Sequence, residues 1–579
     1  MATLGLYEEN IAEASQLRLT AQLAFATNNE PIDDPQILYD MSLDMDNVIQ
    51  LGRPIKSPEK FGFRHDTPQI VWNHHNPVGR TAKARRFWHE AGAEEKKNLA
   101  TLAREAVLDL QETGSVTSRA YAGLDEEFCV GVQFAGNRHY PVAALSFLLN
   151  FQALNTSEHN SFYRNSRPIN EPDMLLIYDP DWYHPDYEGG LVIIDRESKT
   201  IFVLGLAYFG EIKKGLLTLV WHTAIHERIG DAEMRRFLPI HGSICVINGK
   251  TLVIIALSGS GKSSLSRNAE SIAHDDAFVV SMVTGKVIVL EPTFFNKTDG
   301  DDIGDETTRR GLIFYNMGLA EIDGHLDVIP QDRLVANGRV IQERPFNAVD
   351  GYDGIDIVSL VMKDDTLPPI SLINNPALFV AFGASLMTKR SLAEALKSIE
   401  EQFALVIEPF AQPFRSWRLN TESRMFQLFL ELFKPVTVIL NTGDFMGNDI
   451  SLELTRDLIL PKLTGDDLDF QPWRIVPKKM VGLIKKGTLG KEYNRNFTPK
   501  TSDHEYVARF VERMQTRIDF LTELRDQKKL HADFVDPLLK VRIALDEFLQ
   551  RDPIAGDFSW KKADLDELGK NWAPEDGLR

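Results

Sequence analysis

Only two cysteines, Cys129 and Cys245, occur in 579 residues, too few for a disulfide framework, and this points to a reducing, cytoplasmic setting. No stretch approaches the roughly 20 consecutive apolar residues that a membrane span needs. The opening residues Met1 to Glu9 lack both the basic start and the apolar core of a signal peptide. Positive charge is also short. With 64 Lys and Arg against 83 Asp and Glu, the net charge is −19, which repels nucleic-acid backbones and leaves small anions as the expected partners. Internal repeats of solenoid length and low-complexity tracts are missing, so a repeat array is excluded.

What remains is ordinary soluble composition, 43% hydrophobic and 25% charged, on a chain long enough for two or three domains of roughly 100–200 residues each. Its most informative segment is Leu252 to Ser264, an apolar strand running into Leu257-Ser258-Gly259-Ser260-Gly261-Lys262-Ser263-Ser264. A loop of this kind wraps backbone N–H groups around nucleotide phosphates, supplies a lysine to the terminal phosphates and offers a hydroxyl to a divalent cation. The usual first glycine is Ala256 here, while the glycines nearest the phosphates are kept. The bland alternative is a Gly/Ser turn that happens to precede Lys-Ser.

The middle of the chain is dense in strands. Leu191–Ile194 and Ile201–Leu206 flank an Arg-Glu-Ser-Lys turn, Ile244–Ile247 and Leu252–Ala256 flank Asn248-Gly249, and Phe278–Val283 and Val287–Leu290 flank Thr284-Gly285. Asn-Gly between apolar runs predicts a hairpin, and a hairpin leading straight into a phosphate loop predicts a mixed sheet. The Pro-, Asp- and Asn-rich stretch from Asn160 to Tyr187 reads as loops between strands. From about Ser502 onward, apolar residues recur every three to four positions among charges, which reads as helix.

Eleven residues beyond Ser264 stands Asp275-Asp276, and carboxylates at a strand edge can hold a divalent metal. Upstream lie Tyr208-Phe209-Gly210-Glu211-Ile212-Lys213-Lys214-Gly215 and Leu238-Pro239-Ile240-His241-Gly242-Ser243. By themselves, a lone histidine is more often a core residue and a lysine pair more often solvated. In this order, however, and together with Gly79-Arg80-Thr81-Ala82-Lys83, Glu291-Pro292-Thr293-Phe294-Phe295-Asn296-Lys297-Thr298, Glu306-Thr307-Thr308-Arg309, Leu367-Pro368-Pro369-Ile370-Ser371, Phe382-Gly383-Ala384 and Leu440-Asn441-Thr442-Gly443, the chain resembles ATP-type phosphoenolpyruvate carboxykinase, colinearly over about residues 79–460.

The resemblance implies an α/β fold of two domains with a mixed sheet and a phosphate-loop nucleotide domain, to which the helical periodicity adds a C-terminal tail. The corresponding boundaries are a substrate-binding region 1–238, a nucleotide- and metal-binding region 239–470 and a helical region 471–579 packed on the nucleotide domain. It implies decarboxylation of oxaloacetate and phosphorylation of the enolate by ATP to phosphoenolpyruvate, with Mn²⁺ and Mg²⁺ as cofactors. Lys214, His241 and Asp276 would ligate the transition metal, and Asp275 and Ser263 would serve the nucleotide magnesium. Arg80 and Arg309 would grip carboxylate and phosphate, with Tyr208 against the substrate and Lys213 and Lys262 beside the reacting groups. Ser258, Gly259, Ser260, Gly261, Ser264, Lys297, Ile450 and Thr455 would complete the nucleotide site.

Three features depart from the family. Ala277-Phe278-Val279-Val280 replaces the polar segment that normally follows the Asp pair, Asp449 stands where a basic residue meets adenine, and the C-terminal region has no family counterpart. Those departures leave two alternatives open: a phosphotransferase of the same fold acting on another acceptor, and a nucleotide sensor without turnover.

Overall fold

The computed structural model describes residues 16–74, 81–151, 157–167, 172–229, 235–257, 261–298, 305–329, 337–345, 347–389, 405–473, 475–477, 480–499 and 504–550. They divide into two compact units interleaved along the chain. One holds the described residues of Met1–Thr223 and Ile288–Phe346, the other those of Ala224–Val287, Asn347–Ser391 and Glu400–Arg579. Arg80, Ser258, Gly259 and Ser260 lie outside the described residues.

The first unit is built on a seven-stranded mixed sheet in the order Asn29–Pro31, Ser115–Asp125, Phe128–Asn137, Met174–Asp179, Thr200–Leu204, Leu191–Asp195, Arg85–Phe87. The expected Leu191/Thr200 hairpin is present, with Ile193 opposite Phe202. Helix Ala93–Thr113 covers one face. Its buried Leu99, Leu102, Ala103, Ala106, Val107 and Leu110 form a stripe at three-to-four spacing, packed on Ile177, Ile193 and Phe202 of the sheet. The Asn160–Tyr187 stretch is not only loop: helix Ser157–Ser166 and the fully buried strand Met174–Asp179 occupy part of it. Pro172 and Asp173 signal a turn, but the six residues after them form a central strand flanked by parallel neighbours on both sides, where unbroken apolar sequence is the rule.

This unit also holds a five-stranded sheet, in the order Thr293–Lys297, Arg339–Glu343, Gly311–Tyr315, Pro68–Trp72, Val48–Pro54, and the hairpin Gly318–Ile322 with His325–Ile329.

The second unit contains an eight-stranded mixed sheet: Ser271–His274, Ser243–Ile247, Lys250–Ile255, Ile357–Met362, Val436–Asn441, Ile370–Ile373, Val481–Ile484, Phe470–Pro472. Its centre is parallel, Lys250–Ile255 with Ile357–Met362 and Ile357–Met362 with Val436–Asn441, and its flanks are antiparallel. The hairpin before the phosphate loop turns at Asn248 and Gly249, with φ of 51° and 70°, the mirror-image turn that the twist of paired strands favours. Ala277–Ser281 is fully buried and pairs antiparallel with Phe237–His241. Helices His504–Asp526 and Asp536–Gln550 pack in this unit. Among the described residues no helix is long and apolar enough to cross a membrane.

Candidate functional site

In the first unit the site grows from the N-terminal turn of the buried helix Phe209–His226. Tyr208 precedes the helix and its ring folds back over that turn, where a Cβ at Gly210 would collide with it. One turn in, Glu211 is 0% exposed and accepts from Arg85 Nε and Nη2 at 2.9 and 3.1 Å, from Lys214 Nζ at 3.3 Å and from the Thr81 hydroxyl. Burial alone would raise the Glu211 carboxyl, but Lys214 and then Arg85 overcome it and hold the group at about 2. Its charge is compensated rather than avoided, as an ion this deep requires.

Lys214 Nζ stands 5.3 Å from the Tyr208 ring centroid. Burial raises the Tyr208 phenol, yet the hydrogen-bonded Arg339 guanidinium and Lys214 together bring it down to about 8. Lys213, 3% exposed, meets the fully buried Glu291 at 3.3 Å and lies 5.8 Å from the Phe295 ring centroid. Asn150 donates to the other oxygen of Glu291. Three cations, Arg85, Lys214 and Lys213, thus pair with two acids, Glu211 and Glu291, and a fourth, Arg339, lies against Tyr208.

In the second unit, His241 ends strand Phe237–His241 opposite Ala277, which brings it beside Asp276 at the start of the next strand. His241 Nε2 lies 3.0 Å from Asp276 Oδ1, and Lys262 Nζ donates to the same oxygen at 3.2 Å. The other ring nitrogen, Nδ1, contacts the carbonyl of Ala411. A carbonyl only accepts, so Nδ1 carries the proton there. Burial, with Lys262 next, holds the imidazole below its usual range against the opposing pull of Asp276, favouring the neutral ring. Two acceptors, Nε2 and a carboxylate oxygen, therefore face each other, an arrangement that calls for a cation between or beside them.

That arrangement fits a divalent ion. Two neighbouring ligands at about 2.1 Å from an octahedral centre are about 3 Å apart, and a metal-bound histidine ordinarily donates its far N–H to a carbonyl or carboxylate. Among the described residues no group of three or more His, Cys, Asp or Glu surrounds such a position; the donors at hand are one imidazole and one carboxylate, with the Lys262 ammonium beside them.

The carbonyl on His241 comes from an unusual segment. Phe410 and Ala411 both adopt left-handed backbone, φ 50° and 51°, which costs about 1 kcal/mol or more for each non-glycine residue. The Phe410 ring stacks on Phe426 at 4.4 Å, and Arg415 bonds both the Pro409 carbonyl and buried Glu422.

Of the other sequence-predicted residues, Gly261 (φ +93°) caps the short helix Lys262–Ser266, on which Ser263 is exposed and Ser264 half-buried. Asp275 is buried beside Asp276. Lys297 ends a strand of the five-stranded sheet, and Arg309 is exposed on helix Asp305–Arg310. Ile450 and Thr455 are buried, Ile450 N–H bonding the Gly443 carbonyl at 3.0 Å. Sequence reasoning missed Arg85, Glu211 and Arg339 as members of the first cluster. Glu211 was legible as an acid one turn before Lys214, but Arg85 and Arg339 come from distant strands with no local signal.

A family model described as phosphoenolpyruvate carboxykinase matches residues 79–478. The "Phosphoenolpyruvate carboxykinase (ATP)" of Dictyostelium discoideum is 24% identical over 366 residues, 58% of this chain and 61% of the relative. That of Alkaliphilus oremlandii is 24% identical over 327 residues, 51% and 58% of the two chains. That of Aeropyrum pernix is 23% identical over 435 residues, 71% and 82%. The chain spans about three-fifths of the length of the first two relatives.

Proposed function

Because the chain belongs to the phosphoenolpyruvate carboxykinase family, we propose that it decarboxylates oxaloacetate and passes the γ-phosphoryl group of a nucleoside triphosphate, ATP in the first instance, to the enolate, giving phosphoenolpyruvate and CO₂. The observation that supports this most is the pair of facing acceptors His241 Nε2 and Asp276 Oδ1, with Lys262 on the same carboxylate oxygen. It joins a cation-seeking pair to the lysine of a phosphate loop.

In this reading Lys214, once its ammonium has given up a proton, would hold the transition metal with His241 and Asp276, Mn²⁺ rather than Mg²⁺ because nitrogen is among the donors, and Asp275 and Ser263 would serve the nucleotide magnesium. The divalent ions supply Lewis-acid charge where negative charge develops. The chain's own residues do the rest. Ala411 fixes the His241 tautomer so that Nε2 keeps its lone pair, and Glu211 holds Lys214 and Arg85 in place. Arg80, Tyr208, Lys213, Arg309 and Arg339 bind and orient the anionic substrate and the transferring phosphoryl group, with Arg forks matching carboxylate and phosphate. Gly261, Ser264, Lys262, Lys297, Ile450 and Thr455, with Ser258, Gly259 and Ser260, take the nucleotide. Chemistry then rests on alignment and charge neutralisation. We assign substrate binding to residues 1–238 and nucleotide and metal binding to residues 239–470. We also place the protein in a reducing cytoplasm, since Cys129 and Cys245 are both free and buried, with a small-molecule acid and a nucleotide as partners and neither nucleic acid nor membrane.

The test is oxaloacetate-dependent phosphoenolpyruvate formation by the purified protein with Mn²⁺ and Mg²⁺, using ATP, GTP and pyrophosphate in parallel. Product with one donor, lost by several orders of magnitude in Lys214→Ala or His241→Ala, is the expected result. No product with any donor while nucleotide still binds would overturn it in favour of another acceptor or a sensor.

A further inference from the structure

The C-terminal helix His504–Asp526 carries arginines at 509, 513 and 517, spaced i, i+4, i+8 along one face. All three meet a single pair of acids. Arg517, 0% exposed, binds Asp364 Oδ2 at 2.7 Å; Arg513 Nη2 binds Asp365 Oδ1 at 2.8 Å, and Arg509 binds the other Asp365 oxygen. The same helix sends Tyr506 OH to the Thr366 carbonyl at 2.9 Å, while the Tyr506 ring packs edge-on to Phe445 with centroids 5.8 Å apart.

The segment so gripped, Lys363 to Leu367, is itself the support of a second loop. Asn441 Nδ2 donates to the carbonyls of Asp364 at 2.7 Å, Leu367 at 2.6 Å and Asp444 at 2.9 Å, and its Oδ1 accepts from Gly443 N–H at 3.0 Å. Met446 N–H donates to the Asp365 carbonyl at 3.0 Å, and Ile450 N–H to the Gly443 carbonyl at 3.0 Å. Between them lies a minimal hairpin, Asp444–Phe445 against Asn448–Asp449, turning at Met446 and Gly447 with φ of 49° and 81°. A two-residue turn on so short a ladder is not stable alone. Its position is set by what holds it: Asn448 Nδ2 donates to the Asn496 carbonyl at 3.3 Å, and the supports at Asp364, Asp365, Thr366 and Phe445 lead back to the helix.

We infer that helix His504–Asp526 is the element that positions the Asp444–Ile450 loop for the nucleotide, with Arg509, Arg513 and Tyr506 as positioning residues acting through Asp365, Thr366 and Phe445. This rests on the nucleotide-binding reading of Ile450 given above. Charge pairs on a half-exposed helix face can be removed without opening the core, unlike Arg517–Asp364, whose loss would strand a buried ion.

The experiment compares the parent with Arg509→Gln/Arg513→Gln, with Tyr506→Phe and with an Arg509→Lys/Arg513→Lys control, by calorimetric titration of Mg·ATP, steady-state kinetics and thermal midpoint. The double Gln variant is expected to weaken ATP binding roughly tenfold, the upper part of the range for coupling through packed networks, and to raise KM for ATP alike. kcat and KM for oxaloacetate should stay within about twofold and the thermal midpoint within a few degrees. Tyr506→Phe, which keeps the ring, should show the same split at smaller size, and the Lys pair should recover most of the loss. ATP affinity unchanged in the double variant, or an equal change in both substrates' KM, would overturn the inference alone. A parent protein that binds no nucleotide would overturn it together with the proposed function.

Discussion

At the scale of single residues, the first cluster is an electrostatic compromise that pH can probe. Glu211 ionises at about 2 instead of the ordinary 4.5. An acid depressed on folding contributes stability that is fully present above its unfolded value and is lost as pH falls through the folded one. The difference corresponds to about 3 kcal/mol, so unfolding free energy should decline between about pH 4.5 and 2. Glu211→Gln, which leaves Arg85 and Lys214 facing a neutral amide, should lose roughly 3–5 kcal/mol at neutral pH and show a flatter acid limb in urea melts across pH. Equal slopes for parent and variant would refute the assignment. Tyr208 offers an independent reading. Ultraviolet titration of the 13 tyrosines should reveal one phenolate forming near pH 8, absent in Tyr208→Phe and moved upward in Arg339→Gln.

At the scale of elements, the left-handed pair Phe410-Ala411 predicts an inversion of the usual cost of glycine. Ala411→Gly should stabilise the fold by up to about 1 kcal/mol, by relieving a backbone that only glycine adopts freely, as read by chemical denaturation. If the carbonyl is what orients His241, the gain in stability should come with weaker Mn²⁺ binding as the segment loosens. Conversely, Gly249→Ala should lose about 1 kcal/mol on φ alone, since nothing lies within 4 Å of the added Cβ. These elements also show what sequence could and could not convey. Asn248-Gly249 announced its hairpin because turn chemistry is local. Met174–Asp179 was hidden behind Pro172-Asp173, because a buried parallel strand has no alternation to read. Motif order along the chain makes Tyr208, Lys214, His241, Lys262 and Asp276 legible as candidates. Arg85 reaches Glu211 across 126 residues, and Arg339 approaches Tyr208 from another sheet, so neither leaves a mark in the neighbouring sequence.

At the scale of the whole molecule, a net charge of −19 means that anionic ligands are drawn by local cationic clusters against an unfavourable general field. Nucleotide binding should therefore tighten with moderate salt until the cluster itself is screened, and then weaken. Binding should also register in global stability. Mg·ATP at a hundred times its Kd should add about 2.7 kcal/mol, seen as a rise in thermal midpoint that Lys262→Ala abolishes. The absence of any shift with any nucleotide would count against the proposed function.

One oxygen atom couples these scales. Asp276 Oδ1 is shared by His241 and Lys262; on the proposed function, a Lys262 that turned to an arriving phosphate would take the resident positive partner from that oxygen and from the imidazole beside it together. The pair left behind would then attract a divalent ion more strongly than before. By thermodynamic reciprocity, Mn²⁺ should sharpen phosphate affinity by the same factor by which phosphate sharpens the affinity for Mn²⁺, and a lysine too short to reach Asp276 would uncouple the two.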